Sequence, residues 1–281
     1  MDLGYTISQD DAFLVDAHVH FHACFDPQAF FDGAIRNFRR GAAQLDLAAN
    51  SPRFLLFTEA AGDDYFRRLK QGALPGAHWP WRFRGTAEEC SLIASRQRGE
   101  EELILVAGWQ VVTREGLEVL ALGVTERLPD GMKLIETLNA ARDCGAVAVL
   151  PWGFGKWWFR RGKLVASVLD SPEVRELIFV GDNGGRPNFS RRPGHFALAE
   201  SRGIHVLPGS DPLPFPSQEA KAGSYGFALD GKLDAARPAE SLKQALRELK
   251  HQPPVYGHRE RLPGFLRYQV SMQFRKRAQS R

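Results

Sequence analysis

Residues 14–22 read LVDAHVHFH, an apolar run that passes into an aspartate and then three histidines on alternate positions. Side chains of a β-strand alternate between its two faces, so a strand that stays regular this far points His18, His20 and His22 the same way. Two imidazoles on one face can hold one metal ion. The stretch is therefore either a metal site that draws on Asp16, His18, His20 and His22, or the polar end of a buried strand.

Similar apolar runs recur at 54–59, 103–110, 117–123, 146–151, 177–181 and 204–211. Most are continuous rather than alternating, the pattern of strands covered on both faces in a parallel sheet or barrel. Helical patterns lie between them, at 30–47, 64–70, 86–98, 131–144 and 240–250, with a terminal helix from Leu262 onward. In the clearest of these, Asp130 is placed as N-cap, Leu134, Ile135 and Leu138 form the apolar stripe, and Gly145 is a suitable stop. Strands alternating with helices predict a parallel barrel or a doubly wound sheet. Long loops are expected at 72–85, 151–163 and 212–226.

The chain has 281 residues, 43% of them hydrophobic and 25% charged, which excludes intrinsic disorder and suffices for one large α/β domain. We expect that domain over residues 1–250, with 251–281 forming a linker and a packed basic helix too short for a core of its own. No run approaches the roughly 20 apolar residues of a membrane span, and the acidic first eleven residues lack a secretory apolar core, so a cytoplasmic protein is expected. Cys24, Cys90 and Cys144 are odd in number and widely spaced. They read as buried structural thiols in a reducing compartment, not as a disulfide framework or zinc ribbon. The net charge of +4 is concentrated in FRKRAQSR at 274–281. A short basic tail reads as a solvated helix end and argues against nucleic acid as a partner.

At the C-terminal ends of the apolar runs stand Asp16, His18 and His20, then Thr58 and Glu59, Gln110, Trp152, Asp182 and Asn183, and Ser210 and Asp211. In an α/β barrel such strand ends form one rim. The order of the segments DAHVHFH, FTEAAG, GWQVVTREGLEVLALG, AVLPWGFG, VGDNGG and PGSDPLPFP resembles the PHP family, named for polymerase and histidinol phosphatase. The resemblance covers about Val15 to Tyr225. It implies a distorted (β/α)7 TIM-like barrel, here with a C-terminal helical extension, and a metal-dependent phosphoesterase.

It also implies metal ligation by His18, His20 and Asp211. The family's other ligands are replaced: Ala60 and Glu59 stand in its TDH segment, Gln110 for a bridging glutamate, Trp152 for the histidine of an HP pair and Leu213 for the last histidine. These departures exclude a trinuclear site of the family's kind. Two imidazoles and a carboxylate still suit one zinc, manganese or iron ion with an open position for water, whose pKa such an ion lowers toward about 7. Asp26, Glu59, Gln110 and Asp182 are candidates for an additional site. Each has a structural alternative: Glu59 as a helix cap or a partner of Arg67 or Arg68, Gln110 as a strand residue, Asp182 as a turn residue before Gly184 and Gly185, and Asp211 itself as a turn cap.

WPWRFRG at 79–85 and WWFRRGK at 157–163 interleave aromatics with arginines, a composition able to fork onto phosphate and stack on a planar group. Arg160, Arg161 and Arg186 are the candidate anion-binding residues, and an anionic small molecule is the expected ligand. No phosphate-binding glycine loop and no serine-nucleophile elbow is present, so a nucleophile would be water. A metal-dependent hydrolase is the leading expectation. A non-catalytic binding or regulatory protein of the same descent is the first alternative, and a mononuclear amidohydrolase that recruits His195 or His205 is the second.

Overall fold

A computed structural model describes residues 12–74, 80–96, 101–175 and 178–279. The acidic stretch 1–11, Trp79 of the first aromatic loop and the last two residues of the basic tail lie outside these. The strands form two sheets. The first runs in the order β12 (Val255–Gly257), β11 (Tyr225–Asp230), β1 (Ala12–Val19), β2 (Arg53–Phe57), β5 (Glu102–Val106), β4 (Ser91–Arg96), β3 (Trp81–Gly85). The second runs β10 (Val206–Gly209), β9 (Ile178–Asn183), β8 (Val147–Pro151), β7 (Glu118–Leu122), β6 (Gly108–Val112).

Neither sheet closes on itself, so the (β/α)7 barrel expected from the sequence is corrected to a mixed α/β fold with two open sheets. The reason lies in the pairings. β1, β2 and β5 are mutually parallel, as are β8, β9 and β10, but antiparallel strands β3 and β4, β6 and β7, and β11 and β12 extend these sets at their edges. The chain changes sheet at Ala107, whose N–H donates to Cys90 of the first sheet's side and whose carbonyl accepts from Gly123 of the second's. Continuous burial of all eight β1 residues, which suggested a barrel strand, comes instead from helices on one side and the second sheet on the other.

Three apolar clusters account for this layering. Phe13, Val15, Phe54 and Leu56 of the first sheet meet Leu120, Val149 and Leu207 of the second in a core between the sheets. Outside the first sheet, α1 (Pro27–Gln44) buries Phe30, Phe31, Ile35 and Phe38. Outside the second, α3 (Leu134–Asp143), α4 (Phe159–Asp170) and α6 (Gly194–Ser201) contribute Leu138, Val165 and Phe196. The remaining helices are α2 (Tyr65–Lys70), α5 (Pro172–Arg175), α7 (Pro238–Arg247) and α8 (Leu262–Gln279), and Pro216–Lys221 form a 3-10 turn.

Several local expectations change. Residues 91–96, expected within a helix, form β4, because Leu92, Ile93 and Ala94 are buried between two antiparallel neighbours and packing overrides helix propensity. The expected loop at 72–85 ends in edge strand β3, and that at 151–163 ends in the first turn of α4. Asp130 does not cap α3; it accepts from Val112 N at 2.9 Å, while Glu136 reaches back to Lys133 N at 3.0 Å. Cys24 is exposed rather than buried. Among the described residues, no helix is long and apolar enough to cross a membrane.

Candidate metal site

β1 delivers His18 from the register irregularity between Asp16 and Val19 and His20 just beyond its end, and Asp211 follows β10 by two residues. These strands belong to different sheets, yet they meet here: Asp211 N donates to His18 O at 2.8 Å. Gly209 makes the approach possible, since a Cβ there would lie 2.5 Å from the His18 nitrogen. Asp211 itself takes φ +47, a left-handed conformation that aspartate tolerates better than most residues.

Asp16 ties the junction together from below. It is fully buried, and its carboxylate accepts from Ser210 N at 2.8 Å, Gly223 N at 2.7 Å and His18 N at 3.2 Å. Burial raises its pKa to about 6 against the opposing pull of these hydrogen bonds. Asp16 is thus the strand-end brace that fixes β1, β10 and the start of β11 together, not a ligand.

His18 Nε2 and His20 Nε2 lie 3.1 Å apart, and Asp211 Oδ1 is 3.7 and 3.6 Å from them. All three ligand atoms lie within 4.8 Å of one another. Neighbouring ligands on a tetrahedral zinc with bonds of about 2.0–2.1 Å are separated by roughly 3.3–3.4 Å, so this donor set fits one ion with little adjustment. Burial, reinforced by neighbouring His18, lowers the pKa of His20. Burial also works to raise the pKa of Asp211, but His18, His20, Lys221 and the Asn183 amide together outweigh it and hold the carboxyl down to about 2. Asp211 is therefore an ionised carboxylate and His20 an imidazole that resists protonation, the states a metal ion requires.

Around it, Asn183 donates from Nδ2 to the other oxygen of Asp211 and is itself held by Gly185 N at 2.6 Å. His22 Nε2 meets the carbonyl of Pro212 at 2.9 Å, so that nitrogen carries a proton, and burial lowers its pKa to about 4. Asn183 as an orienting residue was not foreseen, although DNGG had marked the turn that aims it.

The other candidates are not gathered into the triad. Asp26 caps α1 by accepting from Ala29 N at 2.7 Å. Glu59 accepts from Phe66 N at 2.7 Å at the start of α2, while Arg67 and Arg68 turn to Asp64 instead. Burial pushes Glu59 up to about 7, and it lines a cleft of about 240 Å³ with Phe66, Gly108 and Trp109. Gln110 pairs with Glu118 at 3.3 Å. Asp182 is filled by the Arg186 guanidinium, at 2.7 and 2.6 Å, and by the Tyr225 hydroxyl at 2.8 Å. Arg186 is accordingly buried in the molecule, Arg161 donates to the Gly116 and Gly155 carbonyls, and Arg160 is left exposed. Trp81 and Phe83 pack against Phe31 on the outer side of the first sheet, so these two aromatics do not overhang the site. His195 and His205, the histidines an amidohydrolase-type site would recruit, bond the carbonyls of Gly162 at 2.9 Å and Leu249 at 3.0 Å.

No family model and no curated protein matches the chain. Solved structures do. PsfC from Pseudomonas syringae PB-5123 superposes with a TM-score of 0.54 at 15% identity, over 95% of this chain and 99% of that one. The lesion-specific endonuclease PfuEndoQ from Pyrococcus furiosus gives 0.51 at 10% identity, over 87% of this chain and 57% of that one. A complex of endonuclease Q with a 27-mer duplex substrate carrying an abasic lesion gives 0.46 at 10%, over 86% of this chain and 58% of that one. The likeness is one of fold, consistent with a PHP-type fold. It corrects the expectation that set nucleic acid aside as a partner: a fold shared with a lesion-specific endonuclease does not exclude nucleic acid, and a short basic tail was no ground for doing so.

Proposed function

We propose that the chain is a PHP-like metal-dependent hydrolase that acts on a phosphoester through a single metal ion held by His18, His20 and Asp211. The observation that carries the reading is the convergence of three ligand atoms from two sheets at separations suited to one ion. Phosphodiesters of nucleic acid join small anionic esters as candidate substrates. Zinc, manganese and iron all suit two imidazoles and a carboxylate.

When bound, such an ion supplies Lewis-acid polarisation and a hydroxide nucleophile at neutral pH. The chain's own groups do the rest: Asp16 fixes the strand ends, Asn183 orients the Asp211 carboxylate, and His22 keeps its Nε2 proton on Pro212 O. We take residues 251–281 as an extension of the main domain, because Phe265 of α8 packs on Phe154 and Tyr268 stacks on Phe215.

A second reading, a non-catalytic binding protein of this descent, is favoured by Ala60, Gln110, Trp152 and Leu213 at positions where the resemblance implies ligands. One experiment separates the two. Metal content by elemental mass spectrometry is measured for wild type and His18→Ala/His20→Ala, followed by hydrolysis of p-nitrophenyl phosphate, its bis-ester and a duplex oligonucleotide. About one ion per chain, lost with turnover in the double variant, is expected. Bound metal without turnover selects the binding protein, and no metal after reconstitution overturns the hydrolase and leaves the binding protein.

A further inference from the structure

Lys221 ends the 3-10 turn Pro216–Lys221, and that turn is pinned from two sides. Asn37 of α1 donates to the carbonyls of Ala220 at 2.8 Å and Ala222 at 2.9 Å, and Gly33 of α1 leaves space for Ala220 where a Cβ would come within 2.7 Å. Two residues later, Gly223 N is bound to Asp16 at 2.7 Å, so the backbone around Lys221 is fastened to the same carboxylate that braces the metal triad.

The Lys221 ammonium is buried and has no hydrogen-bond partner among the described residues. Its nearby carboxylates are Glu260, with Oε2 at 3.9 Å, and Asp211, whose ionised form it helps to stabilise. An ammonium carries three donors, and removal from water without hydrogen bonds is unfavourable. Moreover, burial lowers the pKa of Lys221, and in its protonated form it repels a second cation placed on the Asp211 carboxylate. The arrangement becomes favourable once an anion lies between the two positive charges.

We propose that Lys221 is an anion-binding residue of the site, donating to an oxygen of a phosphate-class ligand held jointly with the metal position at His18, His20 and Asp211. This rests on the metal reading above. Glu260 then competes with the anion for the lysine. The unsatisfied ammonium is what identifies this residue.

The test is titration of inorganic phosphate into the full chain carrying one equivalent of zinc, for wild type, Lys221→Met, Lys221→Arg and Glu260→Gln, with zinc affinity measured in parallel. A charge-assisted hydrogen bond predicts phosphate binding roughly tenfold or more weaker in Lys221→Met, largely restored in Lys221→Arg, and tighter in Glu260→Gln. Zinc binding in Lys221→Met is expected unchanged or tighter. Phosphate affinity within about twofold of wild type in Lys221→Met, with only zinc affinity altered, would mean a counter-ion and overturn the proposal. If Lys221→Met fails to fold, the Arg and Gln variants decide: Glu260→Gln that leaves phosphate affinity untouched overturns it. If wild type holds no zinc, the metal reading falls separately, and phosphate binding to the metal-free chain supports Lys221 when it needs the lysine and overturns the proposal when it is absent.

Discussion

Asp182 and Asp211 sit at the C-terminal ends of neighbouring parallel strands, both largely buried, and they have been put to opposite uses. The Asp182 oxygens are occupied by a bidentate guanidinium and a phenol, all of them fixed inside the protein. Asp211 faces two imidazoles at 3.6 and 3.7 Å, too far for hydrogen bonds, with Asn183 on its other oxygen. A carboxylate whose lone pairs are taken is a structural member; one whose lone pairs remain open beside two imidazoles is a ligand in waiting. The difference lies in the partners, not in the residue type or the strand position.

The sharpest way to break this comparison is to neutralise each carboxylate in turn. Asp211→Asn is expected to reduce bound metal from about one ion per chain to none, measured by elemental mass spectrometry. Asp182→Asn should do the reverse. It leaves the buried Arg186 uncompensated, and loss of one partner of a buried pair costs about 3–5 kcal/mol, readable by denaturant unfolding, while the metal stays. Metal loss without destabilisation in Asp182→Asn would erase the distinction.

The same contrast explains what could be read from residues alone. DAHVHFH and GSDPL marked His18, His20 and Asp211, because a strand's alternation and its C-terminal end are local properties. The partners of Asp182 were not legible: Arg186 is four residues away, but Tyr225 comes from a strand that pairs with β1. Lys221 was missed for a related reason, since a missing hydrogen bond has no sequence signature. The helix and strand alternation was read well enough to give an α/β fold, whereas closure was not. Barrel closure depends on which strands end up adjacent, and the antiparallel pairs at the sheet edges were hidden among segments such as 81–85 and 91–96 that read as loop and helix.

Glu59 extends the comparison to a third buried carboxylate, with its pKa raised to about 7 from an ordinary 4.5. Desolvation dominates there, and the protonated form is favoured in the folded state. Its stabilising contribution is therefore complete below about pH 4.5 and is lost as pH rises through about 7. Relative to wild type, Glu59→Gln should gain stability across that window, by up to about 3 kcal/mol at pH 8, as followed by denaturant midpoints at pH 5 and 8. A pH-independent difference would show that Glu59 is ionised throughout and held by the amides of α2.

The smallest effect sharpens the comparison most, because it asks what makes Asp211 a usable ligand. Asn183 supplies the one fixed bond to that carboxylate and leaves the oxygen facing the histidines free. Orienting partners of this kind are typically worth about 10–100-fold in metal affinity, or roughly 1.4–2.7 kcal/mol. Asn183→Ala should weaken zinc binding by that factor without abolishing it, whereas Asn183→Asp places a second carboxylate against Asp211. In the variant two acidic groups would share the position Asp182 avoids by pairing with arginine, and the like charges would raise one carboxyl's pKa. Zinc affinity of Asn183→Asp should consequently fall more steeply than wild type as pH is lowered from 7 to 5. An unchanged profile in both variants would mean that Asp211 is oriented by its own left-handed backbone and the His18 carbonyl alone.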